Sequence, residues 1–172
     1  MKVILETERT YLREFLPSDA KFFYSLNLDP EVVRYTGDVP FASIAAAEAF
    51  IKAYDQYRVN GYGRWAVCSK DDGSFMGFCG LKYHPDEDLT EVGFRFYRKL
   101  WNQGFATETA KACIKLGFEE FDLTEIYAHA DRDNHGSIRV LEKCGLSFVK
   151  PIEYDGHMAN LYRLLKEDYD AN

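Results

Sequence analysis

The segment Trp101–Thr107 carries the residue pattern with the clearest chemical meaning. Its sequence, WNQGFAT, lies between a predicted strand that ends near Tyr97 and a predicted helix. The first turn of a helix leaves backbone N–H groups unpaired, and the helix dipole places about half a positive charge at the same end. Such a turn can bind a pyrophosphate, because Gly104 allows the backbone to approach the ligand and small Ala106 keeps the second approach open. A lone G-x-A pattern is also typical of a structural tight turn.

Cysteine and histidine positions predict neither a metal site nor a nucleophile. The cysteines are far apart and include no C-x-x-C pair: Cys68, Cys79, Cys113 and Cys144. The histidines show no metal-ligand spacing: His84, His129, His135 and His157. We interpret the cysteines as small buried residues and the histidines as surface or packing residues, with His129 beside Tyr127 on one strand face. A covalent route through Cys144 lacks a partner histidine or carboxylate in the sequence.

Length and composition predict one domain over residues 1–172. A chain of 172 residues with 47% hydrophobic and 28% charged residues is typical of a globular domain. No run approaches the ~20 apolar residues of a membrane span, and three charges within the first eight residues interrupt a secretory signal. We therefore expect a cytoplasmic protein without a membrane partner. The net charge of -7 argues against nucleic-acid binding and would suit a cationic substrate, although it also favours solubility.

The first third of the chain predicts a strand and two helices. Tyr11–Phe15 is typical of a short strand, and the Pro17-Ser18-Asp19 sequence is a helix start. Apolar residues recur at helical spacing from about Ser43 to Arg58, and Asn60-Gly61 would end that helix.

The middle of the chain changes to the period of strands. Trp65–Lys70, Phe75–Tyr83 and Thr90–Tyr97 are separated by turn residues, which predicts an antiparallel meander. Apolar residues at helical spacing from Ala106 to Gly117 then predict a helix.

The last third predicts a strand, a helix and a hairpin. Glu125–Ala130 alternates like a strand, and a short helix from His135 to Lys143 would end at Gly145. Leu146–Glu153 and Met158–Leu165 can pair across Asp155-Gly156. The fold class is therefore mixed α/β.

Three segments, in order along the chain, resemble one family. EVGFRFYRKLWNQGFATETA resembles the coenzyme A-binding motif of the GNAT superfamily, whose core is Gln/Arg-x-x-Gly-x-Gly/Ala; Trp101 replaces the Gln/Arg, as is common in the RimJ/RimL-type branch. ETERTYLREFLPSDA is similar to that branch's first strand and helix, and DNHGSIRVLEKCGLSF to its second motif, Asn-x-x-Ser followed by Lys-x-Gly. The resemblance spans nearly the whole chain.

The resemblance implies an α/β (α+β) GNAT fold, in which helices flank a mixed and mostly antiparallel sheet, and acetyl-CoA as co-substrate without a metal. The central strands of that fold splay near the last meander strand, where the pantetheine arm enters and hydrogen-bonds the backbone. The residues implied for this contact are Phe94, Arg95 and Phe96, with the Phe94 N–H facing the developing oxyanion. The residues implied for the pyrophosphate and the rest of the cofactor are Asn102, Gln103, Gly104, Phe105, Ala106, Thr107 and Asn134.

The resemblance also implies two catalytic candidates. Glu91 lies where many relatives carry a carboxylate that removes the amine proton directly or through water; its alternative interpretation is a solvated glutamate on an edge strand. Many relatives carry a tyrosine acid seven residues after the motif asparagine, where this chain has Leu141. Ser137 resembles the serine proposed as the acid in the RimJ/RimL branch, and Asn134 with Ser137 also forms a typical helix N-cap.

The activity implied is N-acetylation of a protein or peptide amino terminus. Acetylation of a small amine, such as a polyamine or aminoglycoside, is the alternative, and a non-catalytic coenzyme A-binding module is a third. The acceptor would be selected by the loop Tyr35–Phe41 and neighbouring aromatic residues, which core packing could equally explain. These aromatic candidates are Tyr35, Phe41, Trp65 and Tyr83. We expect a monomer or a homodimer.

Overall fold

One β-sheet organises the part of the chain that the structure describes, residues 1–154 and 156–172 of a computed structural model. Its eight strands are β1 (Val3–Glu6), β2 (Thr10–Arg13), β3 (Arg64–Ser69), β4 (Phe75–His84), β5 (Leu89–Phe96), β6 (Glu125–Asp131), β7 (Ser147–Tyr154) and β8 (His157–Leu165). They lie in the order β1-β2-β3-β4-β5-β6-β8-β7, and only the β5–β6 pair is parallel within these ranges. The predicted mixed, mostly antiparallel sheet is confirmed.

Helices cover both faces of this sheet. Those within the described ranges are α1 (Ala20–Leu28), α2 (Pro30–Val33), α3 (Ile44–Ala53), α4 (Gln56–Asn60), α5 (Phe105–Glu119), α6 (His135–Lys143) and α7 (Lys166–Asp170). Alternating residues of β3 separate the two layers, because Trp65 packs in the cluster that contains Phe118 of α5, whereas Ala66 packs with Phe23 of α1. The sheet is therefore a central layer between α5 on one side and α1 with α3 on the other.

Most predicted elements are confirmed. The three middle strands form the antiparallel meander β3-β4-β5, and α6 has the predicted bounds. The predicted C-terminal strands pair antiparallel as β7 and β8. Of the turn predicted at Asp155-Gly156, Asp155 lies outside the described residues.

The prediction of one helix from Ser43 to Arg58 is wrong. The chain forms α3 and α4 instead, because Tyr54 between them has extended backbone. Its hydroxyl accepts a hydrogen bond from the Arg64 N–H at 2.8 Å, and its ring packs edge-on against Phe15. These tertiary contacts outweigh the helical periodicity of the sequence.

The N-terminal region differs from its prediction by one added strand. β1 pairs with β2 at the edge of the sheet, although its four residues carry no clear alternation in the sequence. The Pro17-Ser18-Asp19 start is confirmed as a short 3-10 turn that leads into α1.

A buried ion pair ties this start to β2. The two terminal nitrogens of Arg13 each donate to one oxygen of Asp19 at 2.8 Å, and the Leu16 N–H donates to the same carboxylate at 2.8 Å. Arg13 is 8% exposed and Asp19 is 2% exposed. The pair therefore holds the first helix against the sheet in a site that water barely reaches.

Candidate active site

The parallel strands β5 and β6 separate soon after they meet. Among the described residues their register contains one pair, Glu91 with Tyr127. β5 continues to Phe96 while paired only with β4, and β6 continues to Asp131 while paired with β8. The backbone from Val92 onward therefore borders a gap, and an extended chain could hydrogen-bond to such an edge.

The predicted turn lies at the end of this gap. Gly104 has a left-handed backbone, with φ 84°, and is the N-cap of α5, so the first N–H groups of that helix remain available. The Trp101 indole N–H donates to the Phe96 carbonyl at 3.0 Å, which fastens the turn to the end of β5. Trp101 therefore has a structural role at the position where the motif has Gln or Arg.

A cavity of about 640 Å³ lies over the turn; we call it the turn cavity. Phe94, Arg95 and Phe96 line it, as does every predicted residue of the turn except Gln103, whose side-chain amide donates to the Lys99 carbonyl at 2.8 Å. Three cations that the sequence prediction missed also line it: Arg34, Arg139 and Lys143. The sequence carried a signal for two of them, since Arg139 and Lys143 lie four residues apart on one helix and so share a face.

A second cavity of about 460 Å³ lies against α1 and α3; we call it the aromatic cavity. Its wall includes Phe23, Phe41 and Phe50, whose ring centroids lie 5.5 to 5.8 Å from one another. Tyr35 also lines it, whereas Trp65 is a core residue with 1% exposure, and Tyr83 packs against the core.

The two cavities meet at the gap. Six residues line both of them: Tyr35, Thr36, Phe94, Arg95, Asn134 and Ser137. The Asn134 side-chain oxygen accepts the Ser137 N–H at 3.2 Å, which makes Asn134 the N-cap of α6. The cap therefore places the Ser137 side chain at the junction, so the structural role and a role in the site coexist.

Glu91 lies beside the gap and is buried, with 7% exposure, so its interpretation as a solvated edge glutamate is wrong. One carboxylate oxygen, Oε1, accepts a hydrogen bond from Arg64 Nη2 at 2.7 Å. The other, Oε2, is paired with Nδ1 of His129. His84 Nε2 lies 3.6 Å from Oε1, which is too long for a hydrogen bond.

The surroundings of Glu91 keep it ionised. Burial raises the pKa of the Glu91 carboxyl, but the imidazoles of His129 and His84 and the guanidinium of Arg64 outweigh burial and hold that pKa well below its usual range. An ionised carboxylate with so low a pKa is a weak proton acceptor.

Arg64 was missed because a single arginine at a strand start carries no sequence signal. Its Nη1 donates to the carbonyls of Gly80 at 3.0 Å and Glu91 at 2.9 Å. A Cβ on Gly93 would lie 2.5 Å from Arg64 Nη2. Gly93 thus provides the space that brings the guanidinium to the carboxylate.

His129 is paired with a buried carboxylate, which the prediction of a packing or surface histidine did not include. The predicted alternation is confirmed, since His129 and Tyr127 are partly exposed on one face of β6. Its ring centroid lies 4.0 Å from that of Tyr154, and it lines the aromatic cavity. No sequence pattern could have revealed this pairing. It follows from the position of His129 two residues after Tyr127, the strand partner of Glu91.

Among the described residues, no three or more His, Cys, Asp or Glu side chains are arranged so that they could hold a metal ion. Burial raises the pKa of the Cys144 thiol to about 12, which disfavours the thiolate that nucleophilic attack requires. No helix in the described ranges is long and apolar enough to cross a membrane.

Acid is expected to destabilise the wild type more steeply than Glu91→Gln. A carboxyl with a lowered folded-state pKa stabilises the fold fully above its unfolded pKa, and this contribution is lost as pH falls through the folded pKa. Below about pH 4.5 the unfolding free energy of the wild type should fall faster than that of the variant, by at most about 1.4 kcal/mol per pH unit for one proton. Urea denaturation over a pH series measures both slopes, and parallel curves would contradict the linkage.

Comparison with known proteins agrees with this geometry. The family model described as an acetyltransferase (GNAT) domain matches residues 9–147. The uncharacterized protein YkkB of Bacillus subtilis (strain 168) is 34% identical, over 88% of this chain and 89% of its own length. The uncharacterized N-acetyltransferase p20 of Bacillus licheniformis is 30% identical, over 96% of this chain and 97% of its own length.

Solved structures share the fold. An acetyltransferase of the GNAT family from Bacillus anthracis superposes with a TM-score of 0.81 at 25% identity, covering 97% of this chain and 99% of its own. The ribosomal L7/L12 alpha-N-protein acetyltransferase RimL, in complex with coenzyme A, does so with a TM-score of 0.81 at 15% identity, over 95% of this chain and 98% of its own. With the splayed strands and the turn at the start of α5, these matches identify the chain as a member of the GNAT acetyltransferase family and an acetyl-CoA-dependent N-acetyltransferase.

Proposed function

We propose that the chain acetylates the amino terminus of a peptide or protein whose first side chain is apolar. The observation that carries this proposal is the junction of the two cavities at Phe94 and Arg95. One side of the junction presents backbone N–H groups and cations that suit a cofactor rich in phosphate. The other presents an aromatic wall that suits an apolar acceptor.

The turn cavity fits acetyl-CoA. The pyrophosphate would lie at the N-terminus of α5, where the N–H groups of Phe105, Ala106 and Thr107 have no partner within the helix. Arg139 and Lys143 line the same cavity and would add positive charge for the phosphates. The pantetheine arm would follow the open edge of β5 and bring the thioester to the junction.

The reaction forms a C–N bond and breaks a C–S bond. The neutral amine attacks the thioester carbonyl, and a backbone N–H near Phe94 would stabilise the oxyanion. Collapse of the intermediate expels the thiolate, which is a tolerable leaving group because a thiol titrates near pH ~8.5. Ser137 lies at the junction and is the candidate to protonate it.

Charge pairing in the aromatic cavity favours a single amine on an apolar body. Three carboxylates line it. Glu91 pairs with Arg64 at 2.7 Å and Asp38 pairs with Arg95 at 2.6 Å, whereas Asp131 accepts a hydrogen bond from the Asp133 N–H at 2.9 Å. A polyamine would bring two or more ammonium groups, and each buried ammonium needs a counter-charge. Among the described residues, Asp131 is the one carboxylate of this cavity without a cationic partner. The aromatic rings instead offer apolar surface that the first side chain of a peptide could cover.

A small apolar amine is the second candidate. The aromatic cavity, at about 460 Å³, has the size of a small-molecule site. A blocked peptide and a free small amine separate these two acceptors.

The test is thiol release from acetyl-CoA by the purified protein. We expect kcat/KM for peptides that begin with Phe or Leu to exceed that for Asp-first peptides by about tenfold or more, because burying one large apolar side chain contributes ~1.5–3 kcal/mol. Amino-terminally formylated versions of the same peptides, which lack a free amine, are the control. Turnover with phenethylamine but not with peptides would favour the small-amine candidate, and equal rates for all first residues would contradict the role of the aromatic wall.

If no amine in the panel gave thiol release, the non-catalytic coenzyme A-binding module would be the remaining candidate function. A melting shift with acetyl-CoA, measured beside the thiol assay, distinguishes that outcome from a protein that does not bind the cofactor.

A further inference from the structure

We propose that His129 is the catalytic base that takes the proton from the acceptor amine, and that Glu91 is its positioning residue. The proposal rests on the proposed function, since it needs an amine in the aromatic cavity. It replaces the expectation that Glu91 itself removes the proton.

The contacts of Glu91 leave it little capacity to act as the base. Its Oε1 is bound by Arg64 at 2.7 Å and its Oε2 by His129, and its side chain is 10% exposed. Taking a proton would break at least one of these contacts and leave the Arg64 charge without its partner in a buried site. Arg64 therefore keeps the carboxylate ionised.

The contacts of His129 suit a base. A carboxylate that accepts from Nδ1 fixes the tautomer with the proton on Nδ1 and the lone pair on Nε2. Among residues 1–154 and 156–172, no hydrogen bond to Nε2 is present, and the side chain is 23% exposed where it lines the aromatic cavity. Tyr154 packs on the ring, with centroids 4.0 Å apart, and so restrains its plane.

The position of His129 places it beside the reacting atoms. Glu91 pairs with Tyr127 at the last contact of β5 and β6, and His129 follows two residues later on the diverging strand. Phe94, whose edge would carry the thioester, lines the same cavity as His129. An amine that attacks the thioester therefore passes between the two strands.

The proton balance is simple. The ammonium form of the acceptor gives one proton to Nε2 of His129, and the Glu91 carboxylate stabilises the resulting imidazolium. The neutral amine then forms the C–N bond of the tetrahedral intermediate, and the C–S bond breaks when that intermediate collapses. The excess proton of the nitrogen passes to the departing thiolate directly or by way of Ser137, and the imidazolium of His129 returns its proton to solvent. Imidazole suits this transfer because it ordinarily titrates close to neutral pH.

Several polar and charged groups surround His129 in the aromatic cavity. They come from each neighbouring strand: Glu91 from β5, Arg64 from β3, His84 and Lys82 from β4, Asp131 from β6 and Tyr154 from β7. Glu91 is the group in direct contact with Nδ1, so its removal should perturb His129 most.

The test compares His129→Gln, His129→Asn and Glu91→Gln with the matched control His157→Gln, an exposed histidine on β8. We expect the His129 variants to lose about 10²–10³-fold in kcat with KM for acetyl-CoA unchanged, and Glu91→Gln to lose less. The rate of the His129 variants should rise with pH up to the pKa of the amine, because the unassisted reaction needs the free amine already formed. Imidazole added to His129→Ala should restore part of the rate.

A nitrogen NMR measurement tests the same assignment without depending on turnover. Nitrogen NMR of the wild type should show the proton of His129 on Nδ1, and Glu91→Gln should redistribute the tautomers. His129→Gln within threefold of wild type, or Glu91→Gln more impaired than His129→Gln, would overturn the assignment. A wild type that binds acetyl-CoA but acetylates no amine would instead reject the proposed function, and the catalytic role with it.

Discussion

Ala106→Asp is expected to raise the KM for acetyl-CoA by about a hundredfold, because two negative charges about 5 Å apart repel by about 3 kcal/mol at an effective dielectric constant near 20. Ala106 lines the turn cavity in the first turn of α5, where the pyrophosphate would bind. The same aspartate complements the helix dipole, so the variant should remain as stable as the wild type.

The matched control is Ala106→Asn, which has nearly the same size and shape without the charge. Initial rates at varied acetyl-CoA and the melting shift with acetyl-CoA measure the difference between the two variants. Equal effects would mean that bulk rather than charge is responsible. No effect from either would remove the turn from the cofactor site.

Arg13→Met is expected to lower the unfolding free energy by about 3–5 kcal/mol, because it leaves a buried carboxylate without its cation. Asp19, 2% exposed, would keep the Leu16 N–H as its hydrogen-bond donor among the described residues once the two 2.8 Å contacts from Arg13 are removed. Urea denaturation followed by circular dichroism gives the change.

Two further variants show whether the loss in unfolding free energy comes from burial of the ion pair or from charge pairing as such. Lys52→Met breaks the exposed pair with Glu48, whose atoms lie 3.1 Å apart, and should cost at most about 0.5 kcal/mol. Arg13→Met combined with Asp19→Leu removes both buried charges and should recover much of the loss. If Arg13→Met were no worse than Lys52→Met, the buried pair would not hold α1 on the sheet.

Local signals predicted the elements well. The alternation of the meander, the Gly104 turn and the Asn134 cap each depend on residues within a few positions of one another, so one sequence was sufficient to find them. Local periodicity failed at Tyr54, where a contact with Arg64 across the fold interrupts the predicted helix.

The chemistry of the site could be predicted only in part. Glu91 was found because it precedes the turn in a recognisable segment, but Arg64 and His129 come from two other strands. Nothing local distinguishes this histidine from a packing residue, because its partner is set by the register of β5 against β6. The aromatic cavity was predicted in part, since Tyr35 and Phe41 of the loop between α2 and α3 were candidates, but Phe23 of α1 and Phe50 of α3 were not.

The splay of β5 from β6 also governs the order of events in a catalytic cycle. The turn cavity and the aromatic cavity meet at the gap and extend from it toward different helices, so donor and acceptor would each have a site of their own. On the proposed function, donor and acceptor would both lie at the gap, and the acetyl group would pass between them within a ternary complex. The proposed mechanism needs no acetylated intermediate of the protein, so we expect steady-state rates to follow sequential rather than ping-pong kinetics.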